Sequence, residues 1–299
     1  MQIRKAKIVR LLMTAAAIVG VAVFRPGPTL GQQPFDSPAL AAEAFVDALA
    51  TKNTDTLGSI LGSDWKDFIP TDEISQEDVD AFLAAWDKSH TLKPDTQGRM
   101  HLAVGPDEWT LPIPLVKHGE TWHFDPQAGA DKMRTRRIGR NELAALQATL
   151  AYYDAQKEYA LADRNGDGML EYAQKLLSTP GQRDGLFWPT QAGEPESPLG
   201  PLFGDDKPGT DYHGYFFKIL KEQGPHASGG AYDYRLNGRM SAGFALVAWP
   251  VVYGDSGVMT FLISHDGQGY EKDLGPDTEA SAPAMTRFDP DSEWQKVSP

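Results

Sequence analysis

The chain has 299 residues, no cysteine, and 41 acidic against 28 basic residues, which gives a formal net charge of −13 at pH 7. The lack of cysteine excludes disulfides and a lipid-modified cysteine, so packing alone must stabilise the fold. The acidic balance argues against nucleic acid or an anionic membrane surface as partner. Hydrophobic residues make up 41% of the chain, enough for a sizeable core, and the length predicts two domains.

Residues 1–31 have the layout of a secretory signal peptide. A basic start without acids precedes an uncharged apolar run at Leu11–Phe24, and the small residues Thr29 and Gly31 suit a cleavage site. As a helix this run would rise about 21 Å, short of the roughly 30 Å hydrocarbon core of a bilayer. We therefore expect cleavage near Gly31 and a periplasmic or secreted protein, with an uncleaved N-terminal anchor as the alternative.

Cleavage would also change the charge of the chain. Residues 1–31 hold five of the 28 basic residues and no acid, so the mature chain keeps 23 basic and 41 acidic residues, a formal charge of −18. A strongly acidic surface favours solubility and divalent cations. We expect no nucleic acid partner and no stable membrane span after cleavage.

Residues 37–130, after a short linker at 32–36, have the pattern of an N-terminal α+β domain. Ser37 and Pro38 suit the start of a helix, and apolar residues follow at helical spacing. Further helices are predicted at 55–61 and 75–89, and strands at 99–104, 108–117 and 120–125. Two prolines inside the middle strand predict an edge or bulged strand. Helices followed by a curled antiparallel sheet are typical of cystatin-like or ketosteroid-isomerase-like domains.

A basic run at 131–141 separates this domain from a C-terminal one predicted at 142–296. Charge runs usually stay solvated, so we interpret this basic seam as the start of a helix rather than a binding patch. Glu142–Leu161 has the apolar spacing of a long amphipathic helix. Turns and strands follow, with strands predicted at 212–220, 232–236, 242–251, 258–264 and 269–273. The fold class is α+β, with the two domains docked through the seam.

Many short sequence words in this chain are similar to those of one protein family. They include TRRIGRNELAALQ (135–147), GDGMLEYAQK (166–175), YHGYFFKIL (212–220), GFALVAWPVVYGDSGVMTF (243–261) and DGQGYEKDLGPDT (266–278). In this order they resemble the domain-of-unknown-function 2950 (DUF2950) family of bacterial exported proteins, over roughly residues 37–296. The resemblance implies export and leaves the activity open.

The C-terminal half also resembles the globular part of type IV pilins and type II secretion pseudopilins. A helix that ends in AQKEYA (155–160) is followed by a variable loop and by a final strand hairpin at 243–271. The resemblance implies a pilin-like domain, in which a long helix packs on an antiparallel sheet. In pilins that helix is N-terminal and follows a processing site, whereas here it is internal. We therefore expect a pilin-like fold that does not enter a pilus by the usual route.

The sharpest chemical motif is the loop from Asp163 to Glu171. It matches the D-x-[DN]-x-[DN]-G pattern of calcium loops, in which oxygens at alternate positions surround one ion. Position twelve is Gln174 where such loops have a bidentate acid, so affinity should be weak. The alternative is a turn that binds no metal. The sequence thus predicts a calcium site whose ligands are Asp163, Asn165, Asp167, the carbonyl of Met169, and Glu171.

Two other patterns point to chemistry less strongly. Gly254–Gly257 spells the nucleophile word GDSG of trypsin-like proteases, but Val258 replaces a glycine and no histidine has a suitable context. We interpret it as a hairpin loop. The seven histidines lack the spacing of zinc ligands, although His101 and His123 lie on neighbouring predicted strands. We interpret both as ordinary strand residues.

The function expected from these patterns is non-enzymatic binding or assembly in the bacterial envelope, with another envelope protein as partner. One alternative is a periplasmic enzyme with its site in a cleft between the domains, lined by Trp188, Tyr212, His213 and Tyr215. The other is a small-ligand pocket inside the N-terminal domain, because cone-shaped sheets of this type often enclose one.

Overall fold

A computed structural model describes residues 31–71, 74–164, 166–190, 194, 196–200 and 211–297. The chain divides into two compact units, unit 1 ending at Asp125 and unit 2 beginning at Pro126. Both contain helices and antiparallel sheets, so the predicted α+β class is confirmed. The cystatin-like and pilin-like assignments stay predictions. Apart from Gly31, the predicted signal peptide lies outside the described residues.

Unit 1 begins with helices and continues with a sheet, in the predicted order. Its elements are α1 (Pro38–Ala50), α2 (Thr54–Leu61), a 3₁₀ turn (Trp65–Asp67), α3 (Gln76–Lys88), β1 (His90–Pro94), β2 (Met100–Val104), β3 (Trp109–Thr110), β4 (Leu115–His118) and β5 (Thr121–Phe124). The Ser37 hydroxyl accepts a hydrogen bond from the Leu40 amide and caps α1. Ser75 and Asp78 form a reciprocal capping box on α3.

The sheet of unit 1 is antiparallel, in the order β1-β2-β4-β5, with β3 also paired to β2. Helix α1 packs on this sheet through Phe45, whose ring lies 5.2 Å from that of Phe124. The single strand predicted at 108–117 is wrong, because the chain forms β3 and β4 with a break between them. The break contains Pro112 and Pro114, which have no amide hydrogen to donate to a neighbouring strand.

Residues 32–36, predicted as a linker, are part of the fold of unit 1. The buried Gln32 side-chain amide donates to the carbonyl oxygens of Ile60 (2.9 Å) and Phe124 (2.8 Å). Phe35 and Trp122 exchange both backbone hydrogen bonds, at 3.0 and 2.8 Å. The first described residues of unit 1 are therefore fastened to its last strand.

Unit 2 consists of one long helix, a five-stranded antiparallel sheet and several short hairpins. Its elements are α4 (Pro126–Tyr159), β6 (Tyr215–Leu220), β7 (Glu222–Gln223), β8 (Tyr232–Asp233), β9 (Arg235–Leu236), β10 (Arg239–Met240), β11 (Ala245–Pro250), β12 (Met259–Ser264), β13 (Gly269–Asp273), α5 (Thr278–Ala284) and β14 (Gln295–Val297). The large sheet has the order β14-β13-β12-β11-β6. Within the described ranges, no helix is both long and apolar enough to cross a membrane.

Helix α4 starts sixteen residues before the predicted helix at 142–161 and includes the whole basic seam. Proline suits the first turn of a helix, and arginine and lysine are good helix formers, so nothing in 126–141 interrupts it. Within this stretch Arg134 pairs with Asp131 one turn earlier, at 2.5 Å. The helical conformation of the seam agrees with its interpretation as a helix start. The start at Pro126 was not predicted, because the first half of α4 has no apolar stripe of its own.

The core of unit 2 lies between α4 and the sheet. All six residues of β11, an interior strand between β12 and β6, are buried. From α4, the Tyr152 hydroxyl donates to the Ala245 carbonyl at 3.1 Å. The buried Gln156 amide both donates to and accepts from the backbone of Ala173, at 2.8 Å each. Because buried polar groups are costly without partners, these bonds fix the helix against the strand and against the loop that follows it.

Candidate functional site

The predicted calcium loop is closed by its own backbone. The Asp163 carboxylate accepts hydrogen bonds from the amides of Gly166 (2.7 Å), Asp167 (3.2 Å) and Gly168 (2.8 Å). The amide of Gly168 is the main reason that the pKa of Asp163 is lowered. Gly166 and Gly168 have φ of 77° and 84°, a region that glycine enters readily, and this lets the chain wrap around the carboxylate.

Asp167, the second acid predicted to bind calcium in this loop, forms an ion pair with an arginine. Asp167 accepts from the Met169 amide at 3.0 Å and from Arg239 Nε at 2.8 Å. This hydrogen bond raises the pKa of Arg239. The two oxygens of Asp167 thus have partners inside the protein, one from the loop and one from the β9–β10 hairpin.

The remaining predicted ligands do not complete a described metal site. Burial, and then the neighbouring Asp167 charge, raise the pKa of Glu171. Asn165 lies outside the described residues, and among those that are described no three His, Cys, Asp or Glu side chains are arranged to hold a metal. The described carboxylates fit a hydrogen-bonded turn whose cation is Arg239. Calcium at this loop stays a prediction.

Gln174, which stands where a calcium loop has its bidentate acid, contacts protein instead. Its side-chain amide donates to the Gly238 carbonyl at 2.8 Å, and the nearby Tyr172 amide donates to the Met240 carbonyl at 2.7 Å. The chain after the loop therefore runs beside the β9–β10 hairpin. Together with the Asp167–Arg239 pair, these bonds hold the loop and the hairpin as one surface.

That surface carries exposed apolar side chains. In the described part of the chain nine large apolar side chains are exposed; three of them belong to these two adjoining segments, and a fourth lies two residues before the loop. We call this set the loop–hairpin surface, and its members are Leu161, Met169, Leu170 and Leu236, with exposed fractions of 79, 53, 59 and 58%. Sequence reasoning missed it. Its signal was present as apolar residues placed inside polar, glycine-containing turns, where a core side chain is not expected.

The GDSG loop is fastened to helix α4. The Glu142 carboxylate accepts from the amides of Val258 (2.9 Å) and Met259 (3.0 Å). Asn141 donates to the Ser256 carbonyl at 2.9 Å, and Arg137 pairs with Asp255. Three side chains from two turns of the helix thus bind one short loop.

Ser256 uses its hydroxyl to close its own turn. It accepts from the Val252 amide at 3.0 Å and lies 3.2 Å from the Val252 carbonyl, to which it donates. Gly214 packs against it so closely that a Cβ there would lie 2.8 Å from the Ser256 Cβ. No histidine among the described residues hydrogen-bonds this hydroxyl. The loop has the geometry of a hairpin turn rather than of a nucleophile.

The aromatic residues expected to line an open cleft are divided between core and surface. Trp188 and Tyr215 are buried in the core of unit 2, so that expectation is wrong for both. The Tyr215 hydroxyl donates to the Met259 carbonyl at 2.9 Å, and burial, followed by the Glu142 charge, raises its pKa strongly. Tyr212 and His213 pack edge to face at 4.4 Å.

The two histidines expected on neighbouring strands have different partners. His101 lies 3.2 Å from the Asp95 carboxylate. His123 is buried, and its Nε2 lies 3.1 Å from the Thr121 hydroxyl. Burial lowers the pKa of His123, and His118, whose ring centroid is 5.8 Å away, lowers it further. Both side chains have partners within unit 1.

These features define an α+β protein of two units whose motif-bearing loops are closed by internal hydrogen bonds. The profile of the family described as "Protein of unknown function (DUF2950)" matches residues 32–297, so the chain belongs to that family. Comparisons with curated proteins and with solved structures give no match. The resemblance to pilins and pseudopilins therefore has no matching structure behind it and stays a prediction.

Proposed function

We propose that this protein is exported and acts in the bacterial envelope as a non-enzymatic binding or assembly protein. Export is supported by the signal-peptide layout of residues 1–31. The family match begins at residue 32, and the first buried, hydrogen-bonded side chain of the described chain is Gln32. The family match thus starts where cleavage is expected.

The observation that carries the binding proposal is the loop–hairpin surface. Large apolar side chains that are more than half exposed cost free energy in water, roughly 1.5–3 kcal/mol each relative to full burial. A partner that covers them recovers part of this free energy. Exposed apolar side chains that are grouped on adjoining segments of a protein often mark such interaction sites.

The charges around this surface indicate the chemistry of the partner. Asp167 is paired with Arg239, and Asp233 is paired with Arg235 at 2.8 Å. Because these charges are neutralised inside the protein, neither of the two pairs presents net charge to a partner. The partner expected here is another envelope protein that presents an uncharged apolar segment.

Site-specific photo-crosslinking in the intact envelope tests the binding proposal. A photoreactive residue at position 169 should give one discrete adduct. Leu170→Glu or Leu236→Glu should abolish the adduct, because a charge would then be buried against an apolar partner. Leu143→Glu, on α4 and exposed to the same extent as Leu170, is the matched control and should leave the adduct intact. An adduct that persists in Leu170→Glu and Leu236→Glu would contradict the proposal.

N-terminal sequencing of the envelope form tests export separately. We expect the mature chain to begin near Gln32. A chain that still begins at Met1 in the membrane fraction means an anchor, and a chain found only in the cytoplasm contradicts export.

A further inference from the structure

Trp188 of unit 2 has two arginines beside its ring. The guanidinium carbon of Arg164 lies 5.7 Å from the ring centroid and that of Arg183 lies 5.5 Å from it, both in cation–π geometry. Arg164 also lies 5.9 Å from the ring of Tyr159, at the end of α4. Three separate segments of the chain therefore bring two positive charges to one aromatic side chain.

Neither arginine forms an ion pair with a carboxylate in the described ranges. Other arginines of the described ranges do pair with an aspartate, and these are Arg99, Arg235 and Arg239. For Arg164 the described hydrogen bond is a long one of 3.4 Å from Nε to the Tyr159 carbonyl. In so acidic a protein, two adjacent arginines without a carboxylate keep most of their donors for another acceptor.

The nearest acids already have other partners. Asp184, next to Arg183 in the sequence, accepts from Lys175 at 2.5 Å and from Thr179 at 2.8 Å. Burial opposes ionisation of Asp184, but the hydrogen bonds from Lys175 and Thr179, together with the Lys175 charge, outweigh it and hold the pKa at about 2. Asp163, next to Arg164, is occupied by three backbone amides, as described above.

Two buried donors in the stretch between residues 186 and 199 have no hydrogen-bond partner among the described residues. They are Nε1 of Trp188, a side chain only 6% exposed, and the hydroxyl of Ser197, which is 3% exposed. The Leu199 amide donates to the Leu186 carbonyl at 3.1 Å, which brings these two residues together. Trp188 and Ser197 each lie two residues along the chain from one end of this bond. An unsatisfied buried donor costs about 1–3 kcal/mol, and such groups usually mark a missing acceptor.

We propose that Arg164, Arg183, Trp188 and Ser197 form a binding site for a phosphoryl group, either free phosphate or a phosphate monoester. The four side chains supply two positive charges, an indole N–H and a hydroxyl. A phosphoryl group carries up to two negative charges and three acceptor oxygens, so it matches this set better than a carboxylate with two oxygens does. The site does not use the loop–hairpin surface, and the two proposals can fail independently.

Titration calorimetry on the mature chain, at fixed ionic strength, tests the site with inorganic phosphate, phenyl phosphate and acetate. Phosphate should bind saturably at one site per chain, and acetate at least tenfold more weakly. The double variant Arg164→Gln, Arg183→Gln should weaken phosphate binding at least tenfold. Arg235→Gln, which removes an exposed arginine elsewhere in unit 2, is the matched control and should bind as the wild type does.

Trp188→Phe keeps the ring in the core but removes its N–H, and should weaken phosphate binding several-fold without loss of the cooperative thermal transition. If phenyl phosphate binds as tightly as inorganic phosphate, the ligand includes monoesters; if it binds at least tenfold more weakly, free phosphate is the ligand. Phosphate binding that is absent, or unchanged in the double variant, would overturn the proposal. Equal loss in Arg235→Gln would do the same, because binding would then reflect only overall charge.

Discussion

Two loops of unit 2 spell fragments of well-known functional motifs, and the structure places them in opposite settings. The loop at Asp163–Glu171 is closed by its own amides and by Arg239, and it lies at the surface with exposed apolar side chains beside it. The loop at Tyr253–Val258 is tied to helix α4 by Arg137, Asn141 and Glu142. One loop is part of a surface, and the other is part of the framework.

This difference shows that a short motif indicates a function only together with the residues that pack against it. Both loops are tight turns rich in aspartate and glycine, since these residues close a turn with side-chain to backbone hydrogen bonds. The chemistry that each could perform depends on what lies against it. For the first loop that is a hairpin with an arginine, and for the second it is a helix that supplies a carboxylate.

The largest expected effect concerns the loop tied to the helix. Glu142→Ala removes a carboxylate that accepts from two backbone amides, and leaves these partly buried donors without a partner. The free energy of unfolding in urea at pH 7 should fall by about 2–3 kcal/mol. Glu142→Gln keeps an acceptor oxygen, so its free energy of unfolding should fall clearly less than that of Glu142→Ala. If Glu142→Ala costs no more than Ser256→Ala, the helix does not hold this loop.

Calcium tests the loop at Asp163–Glu171. If calcium binds there, this loop is a metal site as well as a part of the surface. With a dissociation constant on the order of 1 mM, 10 mM calcium should stabilise the fold by about 1.4 kcal/mol over chelator. The melting temperature should rise by a few degrees, and magnesium should raise it less. Asp167→Ala should abolish the rise, whereas Asp255→Ala, in the other loop, should keep it. Equal melting temperatures in calcium and chelator mean that the loop is only a turn.

The smallest expected effect is a pH dependence from Glu171. Burial, and then Asp167, raise its pKa in the folded state. A carboxyl whose pKa is raised on folding adds stability below its unfolded pKa of about 4.3, and this contribution is lost as the pH rises through the folded pKa. In chelator, Glu171→Gln should therefore be more stable than the wild type at pH 7 but not at pH 3.5. Urea unfolding at both values measures this, with the exposed Glu279→Gln as control. A variant less stable at pH 7 would show that the charge is needed.

The fold was predictable where local chemistry decides it. Ser37 and Ser75 start helices as expected, and the apolar run at 242–251 contains the buried strand β11. What sequence reasoning missed depends on distant partners. The Arg137–Asp255 pair joins residues 118 positions apart, and the bonds of Gln174 to the β9–β10 hairpin join residues 64 apart. Such partners are chosen by packing, which leaves no local pattern.

For the loop at Asp163–Glu171, only the turn could be predicted from the sequence. The glycines at 166 and 168 do adopt the conformation that a calcium loop requires. Arg239 could not be foreseen as the partner of Asp167, because nothing near position 239 distinguishes it from the other surface arginines. The exposure of Leu170 and Leu236 is likewise a property of the assembled surface, since each sits in a segment whose composition predicts only a turn.

The bonds of Gln32 and Phe35 also set the order in which unit 1 can finish folding. A chain that emerges from its N-terminus presents residues 32–35 first, yet their partners Trp122 and Phe124 appear about ninety residues later. Until then residues 32–35 lack their partners from β5, so the sheet of unit 1 is incomplete. Closure of unit 1 is thus a late, long-range event. The entropy cost of closing the loop between residues 32 and 124 falls on that last step. A chain released before residue 124 would carry an unpaired edge and aggregate readily.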